Sequence, residues 1–255
     1  MSPALIKKIL NAADRYEKQD FINNDPIQFP HRFTDRRDIE VSAFISAWMA
    51  YGSRKVFLQI LERLHREMLN AGGPFSFIAT SAYSTIFNSP DHCLYRFYKQ
   101  SDYIELCVRL HKFYLHSSSL EEMFRPDRPL ADNIHSLCSY FNGVNGIPVP
   151  GSTSANKRMY MLLRWMVRKN SPVDFGIWNN ITPEQLLIPL DTHVYQTAVA
   201  NGITTRKSAD LRTAIEITDA MREIWPADPA KGDFALYGIG IAPETGQQQE
   251  ISSCE

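Results

Sequence analysis

The chain has 255 residues, a length that fits one large domain or two small ones. Hydrophobic residues make up 44% and charged residues 22% of the sequence, so the chain has enough apolar side chains for a sizeable core and is not intrinsically disordered. Because the formal net charge is only -1, no overall positive field attracts nucleic acid or an anionic membrane, and any nucleic-acid site has to be a local patch.

Apolar residues recur at helical spacing along nearly the whole chain. The first predicted helix contains Ile6, Leu10 and Ala13, and the next two run from Val41 to Met49 and from Val56 to Met68. Further helices are predicted near residues 101–116, 129–142, 154–169, 192–200, 208–224 and 229–239. We find no run of residues with the alternation typical of strands, so the sequence predicts an all-α fold.

The predicted helices divide into two groups around a Gly- and Pro-rich stretch at residues 141–151. We predict two helical lobes, one formed by residues 1–40 and 131–255 and the other by residues 41–130. The polar residues 243–255 are predicted to be a frayed end.

Several classes of protein lack support in the sequence. The first residues do not form a secretory signal and no apolar run approaches about 18–20 residues, so we expect a cytoplasmic protein without a membrane span. Cys93, Cys107, Cys138 and Cys254 stand far apart, which argues against a disulfide framework, a zinc site and an iron–sulfur cluster. No Gly-rich nucleotide motif occurs. We therefore expect no cofactor and no metal, and we infer no obligate protein partner.

A local basic patch lies in a stretch without acidic residues, between residues 133 and 173. One predicted helix there carries Lys157, Arg158, Arg164, Arg168 and Lys169. At about 100° per residue, the first, third and fourth of these form one stripe opposite the apolar side of the helix. The stripe has two interpretations, a solvated face or a surface that contacts phosphates through guanidinium groups.

An aspartate opens the predicted helix in residues 188–203, IPLDTHVYQTAVANGI. Pro189 disfavours helix before it, Asp191 is suited to cap the helix, and Gly202 offers a left-handed stop. Most aspartates at such a position are only caps. Asp233, which precedes another apolar run, is interpreted as a cap or a buried acceptor rather than a second catalytic acid.

The segment Asp191-Thr192-His193-Val194, followed by a helix of small residues, resembles the V-D-T-H-[IV] segment of the helix-hairpin-helix DNA glycosylase superfamily, endonuclease III type. Residues 217–240 are similar to the helix, proline-containing turn and final helix of that superfamily. The resemblance implies a two-lobed all-α fold in which Asp191 is the catalytic carboxylate. Most of the chain, including residues 35–55 and 157–168, also resembles an uncharacterised bacterial family of similar length.

The sequence departs from the endonuclease III pattern in two places. The glycine-rich hairpin of that type is represented by VPGSTSA at residues 149–155, which lacks the second glycine and has Ala155 at the lysine position. The cluster-binding cysteines are also absent, since Cys254 stands alone. The 34-residue separation of Lys157 and Asp191 is similar to that in the archaeal 8-oxoguanine DNA glycosylase. That resemblance implies that Lys157 is the nucleophile.

The leading hypothesis is therefore a DNA glycosylase with AP lyase activity that removes a damaged base, with an oxidised purine favoured, from duplex DNA. Lys157 would attack the sugar C1′ while Asp191 assists. The predicted DNA contacts are Arg158, Arg164, Arg168, Lys169, Thr192 and His193, although a lone histidine in a first helical turn is more often structural. Two alternatives stay open: a noncatalytic nucleic-acid-binding module of the same fold, and an all-α protein-interaction domain whose basic helix binds an acidic partner.

Overall fold

A computed structural model describes residues 1–241 of the chain, and in this range the protein is mostly helical. The α-helices are α1 (Pro3–Tyr16), α2 (Arg36–Met49), α3 (Arg54–Asn70), α4 (Pro74–Ala79), α5 (Tyr83–Ile86), α6 (Gln100–Tyr114), α7 (Leu130–Tyr140), α8 (Lys157–Val167), α9 (Thr192–Ala200), α10 (Leu211–Arg222) and α11 (Gly232–Ile241). Short 3-10 helices occupy several of the connections, one of them directly before α11 at Pro229–Lys231.

The predicted all-α class is confirmed, with one correction. Strands β1 (Cys93–Tyr95) and β2 (Tyr98–Lys99) form an antiparallel hairpin where the sequence analysis expected no strand. Only five residues take part, too few for an alternating pattern to stand out. No helix in residues 1–241 has the length and apolarity of a membrane span. The predicted frayed end at residues 243–255 lies outside the described residues.

The larger of two hydrophobic clusters is built around α2. Nearly every residue from Ile39 to Met49 is buried, because α2 packs against α4 on one side and α8 on another. Trp48 is fully buried there, and its indole Nε1 donates a hydrogen bond to the Asn145 carbonyl oxygen at 2.8 Å. The cluster takes its side chains from residues 27–186 together with Ala230 and Phe234.

The smaller cluster joins the two ends of the described chain. It contains apolar side chains of α1, α9, α10 and α11. Helices α1 and α11 approach closely because position 238 is a glycine: a Cβ atom there would lie 2.1 Å from Cδ2 of Tyr16. Helix α11 in turn packs against α9, the helix that Asp191 opens.

The division between the clusters determines where the candidate residues lie. Helix α8, which we assigned to the lobe of the chain ends, contributes Met159 to Val167 to the larger cluster. Helix α9 belongs to the smaller one. Lys157 at the start of α8 and Asp191 at the start of α9 therefore belong to helices of different hydrophobic clusters.

Candidate functional site

A cavity of about 830 Å³ lies where residues of the two clusters meet. This volume is within the usual range of small-molecule and cofactor sites. Its charged lining residues are Asp25, Arg54, Arg96, Lys157, Arg158, Arg164, Asp191 and Asp233. The cavity thus brings together Lys157 and Asp191, which are 34 residues apart in the chain.

Lys157 is the first residue of α8, and its side chain lines this cavity. Among residues 1–241, none forms a hydrogen bond or an ion pair with its ammonium group. Burial lowers the pKa of Lys157, and this effect outweighs the opposing attraction of Asp191, Asp25 and Asp233. The amine therefore loses its proton more readily than an exposed lysine does.

Asp191 caps α9, as predicted. Its Oδ1 accepts a hydrogen bond from the backbone N–H of Val194 at 2.8 Å, and its backbone is extended. Thr192 and His193 are exposed and line the same cavity. Asp191 therefore has the structure of an ordinary cap, and it differs from most caps in that it also lines the cavity.

Two further carboxylates line the cavity. Asp233 lies in the first turn of α11, where the Arg164 guanidinium donates to its Oδ2. Burial raises the pKa of Asp233 to about 6 against the attraction of Arg164. Asp25 caps the 3-10 helix Pro26–Gln28 by accepting from Ile27 N–H at 3.1 Å. Sequence reasoning treated Asp233 as a cap or buried acceptor, and it missed Asp25 because nothing local separates it from other turn aspartates.

Two of the predicted DNA contacts are buried and paired with acids. Arg164 and Arg168 are each only 2% exposed. Arg164 pairs with Asp174 at 3.3 Å and with Asp233, while Arg168 has three acidic partners: Asp174 at 2.5 Å and both Glu17 and Asp228 at 2.8 Å. The two arginines of the predicted cationic stripe therefore belong to a buried ion-pair network, whereas Lys157 of the same stripe does not.

The other predicted contacts differ in position. Arg158 lines the cavity, and its Nη1 donates to the Trp48 carbonyl oxygen at 3.0 Å and to the Tyr98 hydroxyl. Lys169 is exposed outside the cavity and donates to Asn179 Oδ1 at 2.6 Å. Two of the five basic residues on the predicted helix, Lys157 and Arg158, thus line the cavity and form no ion pair with an acid in residues 1–241. The other three are either paired with acids or lie outside the cavity.

Additional cavity residues are ones that the sequence analysis did not single out as site residues. Tyr51 lies in the connection between α2 and α3, and Arg54 is the first residue of α3. Arg96 lies in the turn of the β1–β2 hairpin. No periodicity marks such loop positions. Only the three-dimensional packing brings them next to Lys157.

The connection between α7 and α8 is a 16-residue loop at residues 141–156. Within it, Gly151 has a φ of +75°, and Ser154 forms an isolated antiparallel bridge with Asp210. Asn156 precedes α8 in the left-handed region, with a φ of 49°. The segment 149–155, which the resemblance placed at a glycine-rich hairpin, is therefore part of an extended connection that ends at the cavity.

A family model described as "Protein of unknown function (DUF2400)" matches residues 25–242. The chain belongs to this family. No curated protein and no solved structure matches the chain. The matched region contains every charged residue of the cavity lining, so the site lies within the part of the chain that defines membership of the DUF2400 family.

In residues 1–241, no group of three or more His, Cys, Asp or Glu side chains is arranged to hold a metal. Cys107 and Cys138 are buried free thiols and Cys93 is an exposed one, whereas Cys254 lies outside the described residues. None of these three cysteines lines the cavity.

Proposed function

We propose that this protein is a DNA glycosylase with AP lyase activity that removes a damaged base, most simply an oxidised purine. The observation that carries the proposal is the meeting of an unpaired lysine of lowered pKa, Lys157, with the carboxylate of Asp191 in one cavity. A nucleophilic amine beside a carboxylate is suited to displacement at a sugar C1′, where positive charge develops in the transition state.

In the proposed reaction, an extruded nucleotide enters the cavity with its C1′ facing Lys157 Nζ. The neutral amine forms a bond to C1′ as the glycosidic bond breaks, and the bonding electron pair leaves with the base. Asp191 stabilises the positive charge that develops at C1′ and accepts the proton that the amine releases. The base takes up a proton from solvent and departs.

Opening of the sugar ring then gives a Schiff base between Lys157 and C1′, with the ring oxygen taking a proton. Loss of a proton from C2′ breaks the C3′–O bond and expels the 3′ phosphate, which is the β-elimination of an AP lyase. Asp233 contributes through charge: when ionised it attracts the Lys157 ammonium and raises its pKa, so its protonated form favours the neutral nucleophile.

Borohydride trapping tests the nucleophile directly, because reduction converts the Schiff base into a stable amine. We expect the wild-type protein to be captured covalently on a duplex that contains 8-oxoguanine, and Lys157→Gln to abolish capture while it leaves DNA binding intact. Asp191→Asn should slow base release by about 100-fold or more, because an amide neither accepts a proton nor carries charge.

Lys55→Gln is the matched control, since Lys55 is an exposed lysine of α3 that does not line the cavity. This variant should be trapped as efficiently as the wild type. Capture that survives in Lys157→Gln would assign the nucleophile to another amine. Absence of both capture and base release on oxidised, alkylated and deaminated duplexes would exclude the enzyme.

A noncatalytic nucleic-acid-binding module is the second candidate. The loop at residues 141–156 weakens the match to the resembling enzymes, because the chain lacks the second glycine of the hairpin with which they hold a phosphate. Such a module would bind DNA with the usual dependence on salt and would never be trapped by borohydride. Trapping therefore separates the two candidates.

A further inference from the structure

Two exposed aromatic rings and two guanidinium groups lie together at one side of the cavity. We name Tyr51, Arg96, Phe97 and Arg158 the cavity lip. Tyr51 is 42% exposed and Phe97 47%, and their rings meet edge-on with centroids 5.1 Å apart. The guanidinium carbons of Arg96 and Arg158 lie 5.1 Å and 6.0 Å from the centre of the Tyr51 ring.

The lip is held in place by specific contacts between the hairpin and the loop before α3. The Tyr95 hydroxyl donates to the Tyr51 carbonyl oxygen at 2.8 Å. Gly52 has a φ of +79°, which side chains other than glycine rarely adopt, and a Cβ atom there would lie 2.7 Å from Arg96 Nη1 and 2.8 Å from the Tyr95 hydroxyl oxygen. Arg158 is held by the hydrogen bonds that its guanidinium donates to the Trp48 carbonyl oxygen and the Tyr98 hydroxyl. The rings and cations are thus positioned before any ligand binds.

The cations of the lip lack acidic partners. Within residues 1–241, no carboxylate lies at ion-pair distance from Arg96, Arg158 or the neighbouring Arg54, whose Nη1 instead donates to the Tyr237 hydroxyl at 2.7 Å. The buried Arg164 and Arg168, in contrast, each form ion pairs with two or more acids. The lip therefore carries unneutralised positive charge in a chain whose net charge is -1.

We propose that the cavity lip binds an unpaired stretch of a nucleic-acid strand, in which a base stacks on Tyr51 and the adjoining phosphates contact Arg54 and Arg96. This inference rests on the proposed function, because the strand is the one whose extruded nucleotide occupies the cavity. Exposed aromatic rings alternating with guanidinium groups fit a strand that presents bases and phosphates alternately. An acidic peptide offers only the charges and leaves the rings without a partner.

Fluorescence anisotropy tests the lip without any turnover when it is measured in the Asp191→Asn background. The probes are a 15-nucleotide oligothymidine, a 25-base-pair duplex with a central tetrahydrofuran abasic-site analogue, and the same duplex without the analogue. We expect the first two to bind more tightly than the intact duplex. Tyr51→Ala should weaken those two by about 10-fold, and Arg96→Ala should lower the slope of log affinity against log salt by about one.

Lys55→Ala and Leu69→Ala are the matched controls, since each removes an exposed side chain of α3 that does not line the cavity. Equal affinity of Tyr51→Ala and its parent for the oligothymidine would overturn the proposal. So would displacement of the probe by oligoglutamate as efficiently as by unlabelled oligothymidine. Because binding is measured without turnover, a negative trapping experiment does not change the measured affinities. Equally, a cavity lip that does not bind the oligothymidine leaves the outcome of the trapping experiment unaffected.

Discussion

The ammonium group of Lys157 occupies a position that disfavours positive charge. It is the first residue of α8, where the helix dipole presents its positive end, and Arg158 follows directly. Burial adds to the cost, and only the carboxylates of Asp25, Asp191 and Asp233 oppose it. A surface lysine faces none of these restraints, so this environment distinguishes Lys157 from every exposed lysine of the described chain.

Asp233 should control the pH dependence of Lys157. An ionised Asp233 raises the pKa of the lysine, and Asp233→Asn removes that attraction while it leaves more of the positive charge of Arg164 uncompensated. Both changes lower the pKa of Lys157. The rate of borohydride trapping rises with pH as the amine is deprotonated, so we expect the rising limb of this profile to move to lower pH in Asp233→Asn.

The control is Asp132→Asn, because Asp132 is an exposed aspartate of α7 outside the cavity. Its profile should coincide with that of the wild type. A merely structural role of Asp233 predicts a different result, in which the maximal trapping rate falls and the midpoint of the limb stays in place. Urea unfolding of the same variants separates a loss of fold from a shift of pKa.

At the scale of elements, α8 is buried on both of its sides. Its apolar side packs on α2, as the amphipathic pattern predicts. Its cationic side is covered as well, by acids that come from outside the helix: Glu17 just after α1, Asp174 in the following loop, and Asp228 before α11. The acid-free window that suggested a phosphate-binding stripe ends one residue before Asp174, the carboxylate that both arginines share.

Removal of Arg168 should therefore cost stability rather than DNA affinity. Arg168→Ala leaves Glu17, Asp174 and Asp228 without their shared cation, and breaking a buried ion pair by removing one partner costs about 3–5 kcal/mol. The free energy of unfolding in urea measures this loss. Arg212→Ala, which removes an exposed arginine of α10 with no ion pair in residues 1–241, should stay within about 0.5 kcal/mol of wild type.

Arg168→Lys provides a second variant in case the alanine variant does not fold, because lysine keeps the charge but not the planar fork. We expect an intermediate loss of stability from it. If instead either variant kept its stability and lost one unit of salt slope in DNA binding, Arg168 would be a phosphate contact after all.

The positions of the helices can be predicted from local sequence signals more closely than the roles of their residues can. Asp191 caps α9 at the predicted residue, and the predicted helix at residues 101–116 is found at Gln100–Tyr114. Helix α8 begins three residues later than expected because Asn156 adopts a left-handed conformation, which a helix does not continue through. The last helix likewise begins later, since a 3-10 turn at Pro229–Lys231 precedes α11.

At the scale of the whole molecule, the cavity lies where the two hydrophobic clusters meet. This position explains which of the cavity residues could be predicted from the sequence. Asp191 was singled out because it opens a helix within a recognisable motif, and Lys157 because its 34-residue separation from Asp191 resembles that in the archaeal enzyme. Tyr51 and Arg96 lie in a loop and a hairpin turn, 45 residues apart, and helical periodicity marks neither position as a site residue. Such residues are brought together by tertiary packing alone.

A ligand that occupies the cavity touches both clusters at once, and hydrogen exchange should reveal this. With the tetrahydrofuran duplex bound to the Asp191→Asn protein, we expect slower amide exchange in three separate segments: residues 50–54, the hairpin at residues 93–99, and the first turn of α9 at residues 192–195. The first two adjoin the larger cluster and the third belongs to the smaller one. Helix α7, at residues 130–140, does not line the cavity and serves as the internal reference.

Protection confined to residues 50–54 and 93–99 would mean that DNA rests on the lip without entering the cavity. That outcome would contradict the proposed meeting of C1′ with Lys157, because a nucleotide held there lies beside the start of α9 as well.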